Sequence, residues 1–118
     1  MSEQIRARLD VIDAAIDYEE IVIVDTLALL FDPGGQLKKR EADGELVLTN
    51  RRFIFATSRH GIMIDLARKE IAVPALVSFR WTMARLTIAT YGQSRHTLIV
   101  NKSAARKIAY AVNTAASS

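Results

Sequence analysis

The chain has no cysteine, only two prolines and two histidines, and a single tryptophan among its 118 residues. Without cysteine there is no disulfide, no thiolate nucleophile and no thiolate zinc site. His60 and His96 stand 36 positions apart. Neither has a spaced carboxylate near it, so the sequence writes no metal cluster and no nucleophile–base pair. Both histidines read as turn or half-buried residues. Asp32-Pro33-Gly34-Gly35 lacks the lysine and the serine or threonine of a phosphate loop and reads as a turn. No catalytic residue, metal ligand or cofactor is expected. Long apolar runs are missing too. The stretch 21–31 is broken by Asp25 and Thr26, and a membrane-spanning helix needs roughly 20 apolar residues. The opening Met1-Ser2-Glu3-Gln4 has no basic segment followed by an apolar one, so no export signal is read and the expected compartment is the cytoplasm.

Acidic residues are scarce in the second half. Residues 1–32 hold eight acidic and two basic side chains, whereas 33–118 hold five acidic and fourteen basic. No acid follows Glu70, while Arg80, Arg85, Arg95, Lys102, Arg106 and Lys107 do. Such asymmetry points either to a charged partner or to one part of the chain neutralising another.

What is present is a globular balance, 50% hydrophobic and 25% charged, in a length that fits one domain. Residues 2–16 read as an amphipathic helix. Ile5, Leu9, Ile12 and Ile16 recur at helical spacing and form a stripe that must cover its own domain or a neighbouring chain. Residues 19–31 read as a strand, bulged near Asp25, although a short helix over 26–31 fits the same pattern. Short strands follow over 45–49, 53–57, 62–66, 71–77, 77–82, 86–89 and 96–100, separated by turn signals. Pro74 places an edge or a corner within 71–77. Trp81 alternates in phase with Val77 and Phe79 and is expected in the core, with Arg80, Thr82 and Arg85 pointing out. The end reads as a helix capped by Ser103, with Ala104, Ala105, Ile108, Ala109, Val112 and Ala116 on its apolar face.

The segment Gly44-Glu45-Leu46-Val47-Leu48-Thr49-Asn50-Arg51-Arg52-Phe53-Ile54-Phe55-Ala56 resembles the signature hairpin of bacterial pleckstrin-homology-like (PH-like, GRAM-type) domains, with Thr49, Asn50 and Arg52 at the turn. Residues 71–77, 86–90 and 97–100 are similar to the linking segment and last two strands of that family. The resemblance covers 19–116. The terminal helix without tryptophan and the added N-terminal helix fit the bacterial members. The resemblance implies a mainly β fold, a bent antiparallel barrel or sandwich of about seven strands closed by the C-terminal helix. The N-terminal amphipathic helix would occupy 1–17 and the PH-like domain 18–118. Thr49 and Asn50 suit a tight turn, since both can bond local backbone and Asn tolerates positive φ.

In that topology three loops meet at one end of the barrel, carrying Lys38, Lys39 and Arg40, then Arg59 with His60, then Arg95. Converging cations there would attract phosphate or carboxylate. Arg51 and Arg52 fall at the opposite end. The function expected is a non-catalytic binding or scaffolding module acting through protein contacts, self-association first, with the stripe Ile5, Leu9, Ile12 and Ile16 as its interface. The alternative is peripheral binding of an anionic lipid or a phosphorylated small ligand through the basic rim. Nucleic acid is the least supported partner, because the basic residues lack exposed aromatics beside them.

Overall fold

The computed structural model describes residues 9–31 and 41–116. The elements, in order, are α1 (Asp10–Ala15), β1 (Val22–Phe31), β2 (Glu41–Thr49), β3 (Arg52–Thr57), β4 (Gly61–Ala67), a 3-10 turn (Arg68–Glu70), β5 (Ile71–Arg80), β6 (Met83–Thr90), β7 (Arg95–Asn101) and α2 (Lys102–Ala116). The strands form one antiparallel sheet in the order β4-β3-β2-β1-β7-β6-β5. It curls into a half-barrel around a single apolar cluster, drawn from its concave face and from α2. Residue 26 to 31 is strand, not helix. The sheet ladder with β2 and β7 claims the backbone hydrogen bonds that a helix would have used.

The concave face follows the alternation of the sequence. Val24, Ala28 and Leu30 on β1, Leu46 and Leu48 on β2, and Phe53 and Phe55 on β3 point inward, as do Leu86, Ile88, Leu98 and Val100. Helix α2 closes this side with Ala104, Ala105, Ile108 and Val112. Alanines let its backbone approach β5, where Asn113 Oδ1 accepts the Ala75 N–H at 2.8 Å. Pro74 sits in β5, an edge strand, at a register shift between Ala72 and Leu76. An edge bulge tolerates a residue with no N–H to donate. The cap of α2 is Asn101, whose Oδ1 accepts the Ala104 N–H at 2.8 Å, rather than Ser103. The helix therefore starts directly from the last residue of β7.

The β1 irregularity lies between Val22 and Val24, earlier than the expected Asp25. The described N-terminal helix is shorter than the amphipathic pattern of 2–16. It runs Asp10–Ala15, and Ile16 is already extended. Ile5 lies outside the described residues. Ile12 is fully buried on the convex face of the sheet against Val47, Ile54 and Ala56, with Leu9 and Ile16 beside it. This explains the unbroken apolar run of β3: Phe53 and Phe55 face the concave core, while Ile54 and Ala56 face α1.

Trp81 is not in the core. It is 89% exposed. The expected alternation runs past the end of its strand. Strand β5 ends at Arg80, and Trp81 opens a two-residue turn with φ of 57°. The positive φ carries its side chain away from the face that holds Val77.

Candidate functional site

The β2–β3 turn gathers one cluster of charged and polar side chains. Thr49, the last residue of β2, is fully buried. Its Oγ1 accepts the N–H groups of Arg51 (3.0 Å) and Arg52 (2.9 Å), and donates to Glu20 Oε2 at 2.6 Å. The Glu20 carboxylate is almost fully enclosed. Its Oε1 also accepts the Asp17 N–H at 3.0 Å and a bond from Arg52 Nη2, while Oε2 faces Arg52 Nε at 3.4 Å. Arg52 reaches on to the carbonyl of Ala15 and to Asp65 Oδ2, the latter at 3.4 Å. The Arg52 bonds hold the Glu20 carboxyl at a pKa of about 2, against an ordinary 4.5, even though burial pulls the other way. A carboxylate so supplied with donors has no lone pair left for a proton. The cluster is a cross-link between the α1–β1 connection, the β2–β3 turn and β4.

Asn50 joins the same cross-link, for a reason other than the expected one. It does not have positive φ. Instead its side-chain oxygen accepts the Ile21 N–H at 2.9 Å, and its own N–H donates to the Ile21 carbonyl at 3.0 Å. Arg68 completes the end of the barrel. It donates to the carbonyls of Thr49 and Ala111, both at 2.9 Å, and so ties the turn to α2. Glu20 and Arg68 were not singled out by sequence. The available signal was a glutamate placed just before a strand, with Thr49-Asn50-Arg51-Arg52 at the turn that returns to it.

At the opposite end, Arg59 lies in the β3–β4 turn and Arg95 begins β7; both are exposed. Lys38, Lys39 and Arg40 lie outside the described residues. His60 is exposed in its turn, where its N–H is held by Thr57 Oγ1 at 2.8 Å, and Gly61 supplies the positive φ of 71°. His96 is half-buried opposite Ile88, and burial pushes its imidazole pKa down. Among the described residues no group of three or more histidine, aspartate or glutamate side chains is placed to hold a metal. No described helix is long and apolar enough to cross a membrane.

The convex face carries a feature that the sequence reading missed. Apart from Asp25, which shares their parity, the outward residues of β1 are apolar: Ile23, Leu27 and Phe31 are exposed, Leu27 by 63%, and so is Ile21 just before the strand. Beside them opens a shallow groove of about 360 Å³ lined by Leu27, Leu29, Asp43, Gly44, Met83 and Ile99. Ladder pairing explains the groove: Leu29 stands opposite both Asp43 and Ile99. The signal lay in residues 21–31, apolar at both parities of a strand where a one-sided sheet would alternate.

No protein-family model and no curated protein matches the chain.

Proposed function

We propose that this chain is a non-catalytic binding module of the PH-like type that works through protein contacts, with a second copy of itself as partner. The strand order and the helix across the concave side are what such a fold requires, and they support the assignment. The observation that carries the function is the outward apolar stripe Ile21, Ile23, Leu27 and Phe31 beside the β1–β7–β6 groove. Antiparallel sheets that face water alternate apolar with polar residues, and contiguous apolar patches mark interaction surfaces. An apolar stripe along one strand, interrupted at Asp25, is suited to a two-fold contact in which each copy offers the same face. The stripe Leu9, Ile12 and Ile16 is spent inside the chain, with Ile12 wholly covered, so β1 takes the interface role in this proposal.

Sedimentation velocity tests it. The wild type is expected to sediment as a dimer that dissociates on dilution. Leu27→Glu, at an exposed position, is expected to keep the melting temperature and sediment as a monomer. A wild type that is monomeric at every concentration, or an L27E variant that associates unchanged, overturns the proposal.

A further inference from the structure

The β5–β6 hairpin ends in an arrangement that the fold does not need. Its connection is two residues, Trp81-Thr82, between the paired Arg80 and Met83. Positive φ at the first central residue alone is the pattern of a type II′ turn, which normally places glycine there. A bulky aromatic with φ of 57° is a backbone outlier that costs stability. Nothing is recovered by packing, since the indole is solvent-exposed. Strain kept without a packing return is a mark of a functional position.

The surroundings say which function. Phe79 and Met83, the neighbours of the tip along the two strands, are both exposed. Arg80 adjoins them, and Arg106 from α2 stands 5.1 Å from the centroid of the Phe79 ring. That contact brings the first turns of α2 beside the hairpin. They add Lys102, and Lys107 next to Arg106; Arg80, Arg106 and Lys107 are all exposed. No acidic residue occurs anywhere in 71–118. A protruding tryptophan with apolar flanks and a collar of cations matches the layered chemistry of a lipid interface. Indole rings settle at headgroup depth, and basic residues are drawn to anionic headgroups. A nucleic-acid surface would instead use aromatics as stacking platforms along a basic groove; here the tip is convex and the Phe79 face is occupied by Arg106.

We infer that the Trp81 hairpin tip, with Phe79, Met83, Arg80 and Arg106, is a docking site for the surface of an anionic phospholipid bilayer. It is separate from the loop rim carrying Arg59 and Arg95, and it meets the proposed β1 contact only at Met83, which also lines the groove beside β1. Trp81 inserts at headgroup level while the cations hold the surface charge.

The chain reports on itself, because Trp81 is its only tryptophan. The probe is phosphatidylcholine vesicles with and without phosphatidylserine, read by co-sedimentation and by tryptophan emission. Vesicles with phosphatidylserine are expected to pellet the protein and shift its emission to the blue. Pure phosphatidylcholine is expected to do neither, and added salt to reverse both effects. Trp81→Gly suits the turn and preserves folding. It is expected to weaken pelleting at least about tenfold, as is the double change Arg80→Glu, Arg106→Glu. Any of the following results overturns the inference. One is no pelleting and no shift with phosphatidylserine vesicles. Another is pelleting with unchanged emission, or W81G pelleting like the wild type. The last is an emission change with single-stranded or duplex DNA but not with vesicles.

Discussion

The carboxylate of Glu20, just before β1, is locked by the guanidinium of Arg52, the first residue of β3. Arg52 contacts both carboxylate oxygens, through Nη2 and Nε. Thirty-two residues separate the partners in sequence, so the pair fixes the entry to the sheet against the β2–β3 turn. It is enclosed and hydrogen-bonded on every side, unlike the exposed pairs of Arg51 with Asp17 and Glu19, which are worth little.

Acid stability follows from that pair. A carboxyl held at about 2 when folded and near 4.5 otherwise favours the folded state by roughly 3 kcal/mol once fully ionised in both states. That contribution is complete above pH 4.5 and fades as the pH falls toward 2. Glu20→Gln removes it and leaves Arg52 partly enclosed without its main partner. Denaturant unfolding between pH 7 and pH 2 should show the wild type losing about 3 kcal/mol more than E20Q over the lower half of that range. Parallel curves would contradict the assignment.

Gly44 is required by close approach rather than by backbone angle. A Cβ there would sit 2.3 Å from the Ala56 carbonyl oxygen and 2.7 Å from Phe55 Cζ. Both neighbours belong to the hydrogen-bonded β3 and cannot move aside cheaply. Gly44→Ala should cost about 2 kcal/mol or more. Gly61→Ala, in open space but at φ of 71°, should cost about 1 kcal/mol. Gly92→Ala meets only the Thr90 hydroxyl at 3.7 Å and should be close to neutral. Urea midpoints that break the order Gly44, Gly61, Gly92 would count against the packing around β2 and β3.

The curled antiparallel sheet was legible because its concave face obeys a period of two from β1 to β7, and because Ile108 and Val112 recur at helical spacing behind it. Three things escaped for physical reasons. Trp81 follows the alternation of β5 but lies one residue beyond the strand, where a turn angle and not the pleat aims the side chain. The Glu20–Arg52 lock joins residues far apart in sequence, and no local pattern encodes such a partner. The convex stripe of β1 was hidden because a mostly apolar segment, broken only at Asp25 and Thr26, satisfies a buried strand as well as an exposed one. The cap of α2 was misplaced by two residues since Asn101 serves both as the last residue of β7 and as the cap.

Ile12 anchors α1, which has only six residues and is too short to hold its shape alone. Its side chain is fully covered by Val47, Ile54 and Ala56. Ile12→Ala should cost about 2–5 kcal/mol and release α1 from β3. Hydrogen exchange should then quicken at the Ile12 and Ile16 amides, which bond to the carbonyls of Leu9 and Ile12. It should stay slow in β6 and β7. Removing residues 1–17 should lower the melting temperature in the same way. Unchanged melting in both variants would mean that the convex face does not need its helix.

Asn101 makes two different bonds with one amide, and two substitutions separate them. Its oxygen caps α2 by accepting the Ala104 N–H, and its nitrogen donates to Thr26 Oγ1 at 3.2 Å on β1. Asn101→Ala loses both and should cost about 1–2 kcal/mol, most of it from the cap. Asn101→Asp keeps an acceptor for Ala104 and adds a negative charge at the positive end of the helix dipole, which offsets the lost donor. N101D should therefore recover most of the stability that N101A loses, and raising the salt concentration should reduce that recovery. If the two variants unfold at the same denaturant concentration, the bond to Thr26 rather than the cap is what holds the helix to the last strand.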